Sequence, residues 1–123
     1  REDLLIIRFD AELYFANADY FTDFILESVQ KKLPGLKALI LDAGSMTGID
    51  STGMTAIEDL LKNLKEQNIK WYWCEVKGPV RDRLAIAGMT EKIGSENFFI
   101  CIQDAVDDFD GLKKDNTYAL QCN

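Results

Sequence analysis

The residues with most chemical potential stand in one short run, Asp50-Ser51-Thr52-Gly53, directly ahead of a helical apolar pattern. A carboxylate and two hydroxyls at a helix start face unsatisfied backbone N–H groups and the positive end of the helix dipole. A phosphate on Ser51 or Thr52 would be attracted by that end and repelled by the Asp50 carboxylate, so its addition would change the local surface charge. That combination suits a switch. Asp, Ser and Thr are also the favoured N-cap residues, and Gly53 would let the helix start pack closely. Spacing alone therefore favours the plainer, structural role.

Other residues offer weaker chemistry. Asp42 closes an apolar run at the carboxyl end of a strand, where open parallel sheets hold ligands. Paired with Asp50 it could serve acid–base catalysis, but that needs two close carboxylates with separated pKa values, and this is the weakest reading. Lys77, Arg81 and Arg83 form a basic cluster at a second helix start. They could meet an acidic partner or an anion, although a solvated helix face is the simpler account. Trp71 and Trp73 share one face of a strand, which points to core packing ahead of an exposed binding patch. The acidic stretch Asp104, Asp107, Asp108 and Asp110 lacks the Gly and Glu of a calcium loop and reads as a solvated helix face.

Composition narrows the function classes. The chain has 123 residues, 47% hydrophobic and 28% charged, which suits one globular domain. Histidine is absent, so the commonest general base, the Ser-His and Cys-His pairs and most catalytic zinc sites are missing. A net charge of −7 opposes binding to nucleic acid or to an anionic membrane surface. Neither G-x-G-x-x-G nor G-x-x-x-x-G-K-[ST] occurs, and no zinc spacing, so neither cofactor nor metal is expected. No apolar run approaches the ~18–20 residues of a membrane span, so no direct bilayer insertion is expected. Cys74, Cys101 and Cys122 make no C-x-x-C pair, and reduced thiols in a cytosolic compartment are expected. The start at Arg1 suggests a fragment of something longer.

The elements that must position these residues follow from periodicity. Leu4–Phe9 and Leu13–Phe15 read as two short strands, able to form a hairpin. Asn17 is a fair N-cap for a helix carrying Phe21, Phe24, Ile25 and Val29, with Lys31-Lys32 in its last turn and Pro34-Gly35 stopping it. Ala38–Leu41 has no polar alternation, so it reads as a strand buried on both faces, the pattern of a parallel sheet. Met54, Ile57, Leu60, Leu61 and Leu64 mark one face of a long helix to about Gln67, and Trp71–Val76 is the next strand. Pro79 opens a helix with Val80, Leu84 and Ala87 inward and Gly88 as its stop. Phe98–Ile102 is the last strand, and Ala105, Val106 and Phe109 give a short closing helix. Alternating strands and helices predict an α/β domain, a mostly parallel central sheet of about four or five strands covered by about four helices.

Three stretches together, Ala38–Asp42, Ile49–Met54 with its helix, and Gly78–Leu84, resemble the STAS domain. This module is shared by bacterial anti-sigma-factor antagonists and SulP-type sulfate transporters. Leu13-Tyr14-Phe15-Ala16-Asn17-Ala18 is similar to the transporter branch, as is the segment from Val80 to Gly88. The resemblance implies a STAS domain over residues 1–110 with a tail at 111–123. It implies a non-enzymatic regulatory or docking role on the cytoplasmic side of the membrane. The partners implied are the transmembrane domain of a parent transporter, a regulatory protein or a second STAS domain. Asp42, Asp50, Ser51, Thr52 and Gly53 would form the docking site at the helix start. The alternative is a free antagonist switched by phosphorylation at Ser51, with Thr52 as the fallback acceptor.

Overall fold

A strand apolar at every position has no side that water can cover, so it must lie inside a sheet packed on both faces. The computed structural model describes residues 1–112 and puts the Ala38–Asp42 strand in that place. Its Ala38, Leu39, Ile40 and Leu41 are fully buried. Four strands run in the order β1 (Leu4–Arg8), β2 (Ala38–Asp42), β3 (Lys70–Cys74) and β4 (Phe98–Phe99), and every pairing is parallel. In register, Leu4 faces Ala38 and Ala38 faces Lys70. Helices α1 (Ala18–Lys32), α2 (Ser51–Glu66), α3 (Gly78–Ile86), α4 (Met89–Ile93) and α5 (Ile102–Phe109) flank the sheet, with a 3-10 turn at Ser95–Asn97 before β4.

The strand period of two splits the apolar residues into two cores. Ile7, Leu39, Leu41, Trp71 and Trp73 point to the side covered by Phe21, Ile25 and Val29 of α1, Ile57, Leu60 and Leu64 of α2, and Val80 and Leu84 of α3. Leu4, Ala38, Ile40, Tyr72 and Cys74 point to the other side, where α5 covers them with Ile102, Ala105, Val106 and Phe109. Both tryptophans are therefore core residues, 2% and 0% exposed. Helix α5 packs on β2, β3 and β4. Ile6 of β1, on the same face, is 48% exposed.

Several expectations from sequence change. Leu4–Phe9 and Leu13–Phe15 form no hairpin: β1 pairs in parallel with β2, and Leu13 makes an isolated parallel bridge with Ile49. The intervening Asp10-Ala11-Glu12 leads from β1 to that bridge and forms no hairpin turn. Phe24 falls outside the buried stripe of α1, which runs through Ala18, Phe21, Ile25 and Val29. Ala87 is exposed, because α3 ends at Ile86 and Gly88 turns the chain at φ 76°. The strand expected over Phe98–Ile102 pairs at only two residues; Ile100 is exposed and Ile102 already belongs to α5. Within the acidic stretch, Asp104 and Asp107 are buried, so that face is not wholly solvated. Cys74 is free, as expected, and buried, whereas Cys101 is disulfide-bonded, against the expectation of reduced thiols. Cys122 and most of the expected tail lie outside the described residues.

The α5 side carries one polar link, from the Tyr72 hydroxyl to an Asp108 carboxylate oxygen at 3.0 Å, with the Lys70 ammonium over the Tyr72 ring at 5.1 Å. Burial, then the Asp108 hydrogen bond, raises the Tyr72 pKa above its ordinary value. Burial likewise pushes the Cys74 thiol up to about 12. Both folded-state values lie above those of the unfolded chain. Their contribution is therefore whole below about pH 9 and is lost as pH rises further. We expect urea midpoints to fall between about pH 8 and about pH 11. Tyr72→Phe should cost about 1 kcal/mol at the lower pH and flatten that decline. An unchanged slope would remove Tyr72 from the titration.

Candidate functional site

Helix α2 begins at Ser51 because Asp50 caps it. Asp50 has extended backbone, and its Oδ1 accepts a hydrogen bond from the Gly53 N–H at 2.7 Å. Its second oxygen, Oδ2, accepts from the Phe15 N–H at 3.0 Å. One carboxylate thus joins the first turn of α2 to the segment leading from β1 to α1. Backbone bonds reinforce the join: Leu13 N–H donates to Gly48 O at 2.9 Å and Asp50 N–H donates to Leu13 O at 3.1 Å. Leu13, the first residue of this strap over Leu13–Phe15, is fully buried.

Gly53 is required by the same strap. A Cβ there would lie 2.7 Å from the Leu13 carbonyl oxygen and 2.9 Å from Leu13 Cγ, inside any tolerable contact. Asn17 also serves the strap. It occupies the N-cap position of α1, but its side chain makes no capping bond to that helix. Instead its Oδ1 accepts from the Tyr14 N–H at 3.0 Å and its Nδ2 donates to Glu12 O at 2.7 Å.

The expected site residues therefore separate by role. Asp50 and Gly53 are structural. Ser51 and Thr52 are exposed on the first turn of α2, and neither hydroxyl makes a hydrogen bond among the described residues. Asp42 is occupied elsewhere: its Oδ1 accepts from the Gly44 N–H at 3.0 Å at the end of β2. No hydrogen bond joins Asp42 to Asp50 among the described residues, and both Asp50 oxygens are taken by backbone N–H groups.

The basic cluster is divided too. Lys77 and Arg81 line a groove with Glu75, Val76 and Phe98 at the end of β3, where Arg81 donates to Val76 O at 2.9 Å. Arg83 faces a different groove, lined by Ser51, Met54, Thr55, Glu58 and Ile86. On the opposite flank of α2 a third groove is lined by Ala18, Asp19, Thr22, Ser51, Thr52 and Thr55. Ser51 and Thr55 border both of these, so the first half of α2 is a ridge between two grooves. Exposed apolar side chains stand nearby: Phe15 at 74% in the strap and Ile86 at 85% on α3. Met54, expected on the inward face of α2, is half-buried at its edge, and Phe15 and Ile86 are exposed. For Ile86 a signal existed, since it is a large apolar residue off the Val80–Leu84 stripe.

No helix among the described residues is long and apolar enough to cross a membrane. None of their His, Cys, Asp or Glu side chains groups as a metal-binding cluster.

This arrangement, a parallel α/β sheet with a capped, exposed helix start after its central strand, is that of the STAS domain. The STAS domain model matches residues 1–105, and the chain belongs to that family. Sulfate transporter 1.1 of Arabidopsis thaliana is 31% identical over 111 residues, covering 84% of this chain and 17% of the relative. The chain thus spans about one sixth of the length of that relative. Among solved structures, the SulP transporter STAS domain from Vibrio cholerae aligns with a TM-score of 0.72 at 21% identity, covering 89% of this chain and 82% of that one. The murine Solute Carrier 26 family member A9 anion transporter in its inward-facing state aligns at 0.81, with 21% identity, 89% of this chain and 18% of that one. A putative anti-sigma factor antagonist from Thermotoga maritima aligns at 0.74, with 17% identity and 86% of each chain. These three likenesses establish the shared fold.

Three substitutions separate structure from surface. Gly53→Ala should lose about 2 kcal/mol by overpacking, although alanine is the better helix former. Asp50→Ala should lose about 2 kcal/mol with its two hydrogen bonds. Ser51→Ala should stay within about 0.5 kcal/mol of the parent. Urea denaturation measures all three, and an equal loss for Ser51→Ala would overturn this division of roles.

Proposed function

We propose that this chain is a regulatory docking domain of a SulP-family sulfate or anion transporter, held on the cytoplasmic side of the membrane and acting by protein–protein contact without catalysis. The ridge of α2 between its two grooves carries this reading. It is rigidly built by Asp50 and Gly53, yet it offers the Ser51 and Thr52 hydroxyls, which make no hydrogen bond among the described residues, the half-buried Met54 and the exposed Ile86. Rigid exposed apolar residues ringed by polar ones are the usual composition of a contact site. The partner on this reading is the transporter's transmembrane domain, a regulatory protein or a second STAS domain. The sequence likeness to sulfate transporters supports the assignment.

Ser51, with Thr52 as the alternative acceptor, is then the switch position. A phosphate there would stand at the α2 dipole end, across the groove from Arg83 and beside the repelling Asp50. The free-antagonist reading draws on the same exposed Ser51, but its likeness is one of fold alone.

The test uses the full-length transporter. Ile86→Glu with Arg83→Glu should lower sulfate uptake by at least about fivefold at equal membrane abundance, about 1 kcal/mol of coupling. The isolated domain should keep its stability, since both side chains are exposed. Unchanged uptake would sink the docking role of this ridge.

A further inference from the structure

Helix α1 presents a second surface, which shares only Asp19 with the grooves of the ridge. Asp19, Asp23 and Glu27 recur at every fourth residue, and Tyr20 and Phe24 follow one position behind. All five are exposed, Tyr20 at 65% and Phe24 at 39%. The two rings stack in parallel, with centroids 6.1 Å apart and an interplanar angle of 3°. The helix needs neither ring for its core, since Ala18, Phe21, Ile25 and Val29 already fill the buried stripe.

The carboxylates are equally unassigned. Asp3, Asp10, Glu58, Asp108 and Asp110 each pair with a Lys or Arg, but Asp19, Asp23 and Glu27 enter no ion pair among the described residues. Helix α1 holds no cation before Lys31. Like charges four apart on a helix are destabilising, and the dipole offsets this only for Asp19 in the first turn. Lys31 stands one turn beyond Glu27, but no ion pair joins them among the described residues, and no cation of α1 lies within a turn of Asp23.

We propose that this face of α1 docks a Lys/Arg-rich amphipathic segment presented by the cytoplasmic loops of a membrane-embedded region. Guanidinium or ammonium groups would lie over the stacked rings and between the three carboxylates, and their aliphatic stems would cover Phe24. Charge disfavours other occupants. An anionic lipid surface would be repelled, and a second copy meeting face to face would bring six carboxylates together. The source of the segment rests on the transporter reading above, because loops beside the inner membrane surface are enriched in Lys and Arg. The recognition chemistry does not rest on it.

Nitrogen-15 NMR of this chain, titrated with a synthetic Arg/Leu amphipathic peptide and its Glu/Leu counterpart, tests the surface. Shifts should gather over residues 19–27 with the basic peptide and be absent with the acidic one. Tyr20→Ala with Phe24→Ala, and separately Asp23→Lys with Glu27→Lys, should each weaken binding by about tenfold or more. Asp82→Lys with Glu91→Lys, an exposed pair on α3 and α4, should change it by less than about twofold. Equal loss from both charge-reversed pairs would reduce the binding to general attraction by an acidic protein and overturn the proposal, as would shifts centred elsewhere. In the full-length transporter, the Asp23→Lys and Glu27→Lys pair should lower uptake. Intact uptake beside lost peptide binding would overturn the membrane-loop source, while the ridge at Ser51 still stands or falls by its own variants.

Discussion

The Asp50 side chain lies between two segments that are distant in sequence, the strap entering α1 and the first turn of α2. Each carboxylate oxygen takes one backbone N–H, from Phe15 and from Gly53. The join between strap and helix depends on that division. It caps α2, seats Leu13 in the core and fixes how closely strap and helix approach, an approach that only a glycine at position 53 permits. A charged acceptor shared by two N–H donors is worth more than a neutral cap, because both bonds are charge-assisted.

With Asp50 and Gly53 committed to structure, the neighbouring hydroxyls are free to meet something else. A helix start held by its own N-cap keeps its geometry while its first residues stay on the surface. That is the arrangement a docking site or a switch needs, since a site loosened by its own contacts would bind poorly. Ser51 and Thr52 face outward because the strap occupies the inner side of the first turn. Arg83, Met54 and Ile86 reach the same ridge from two helices.

The acidic character of the domain is unevenly used. Around Arg1, Arg8, Lys70 and Lys92 the carboxylates are satisfied within the chain. Along α1 they are not, and aromatic rings stand beside them. The ridge of α2 is mixed in charge and partly apolar, whereas the outer face of α1 is acidic and aromatic. Two surfaces so different in chemistry suit two different contacts.

The sequence by itself determined the α/β class, the buried central strand, the extents of α1 and α2 to within a residue or two, and the inward face of Trp71 and Trp73. These follow from local periodicity and from stop signals such as Pro34 and Gly88, which act within a few residues of themselves. It also pointed to Asp50-Ser51-Thr52-Gly53, but left the work of each residue undecided. Tertiary structure decided that Leu13–Phe15 is a strap pairing with Ile49 and not a hairpin partner of β1. It also decided that Asn17 holds the strap and not the helix, that Arg83 parts from Lys77 and Arg81, and that Asp104 and Asp107 are buried. The physical reason is common to all four. Each depends on which segment from elsewhere in the chain arrives opposite the residue, and a carboxylate, amide or guanidinium of given local spacing can answer a helix N–H, a neighbouring strap or open water equally well until that segment is in place.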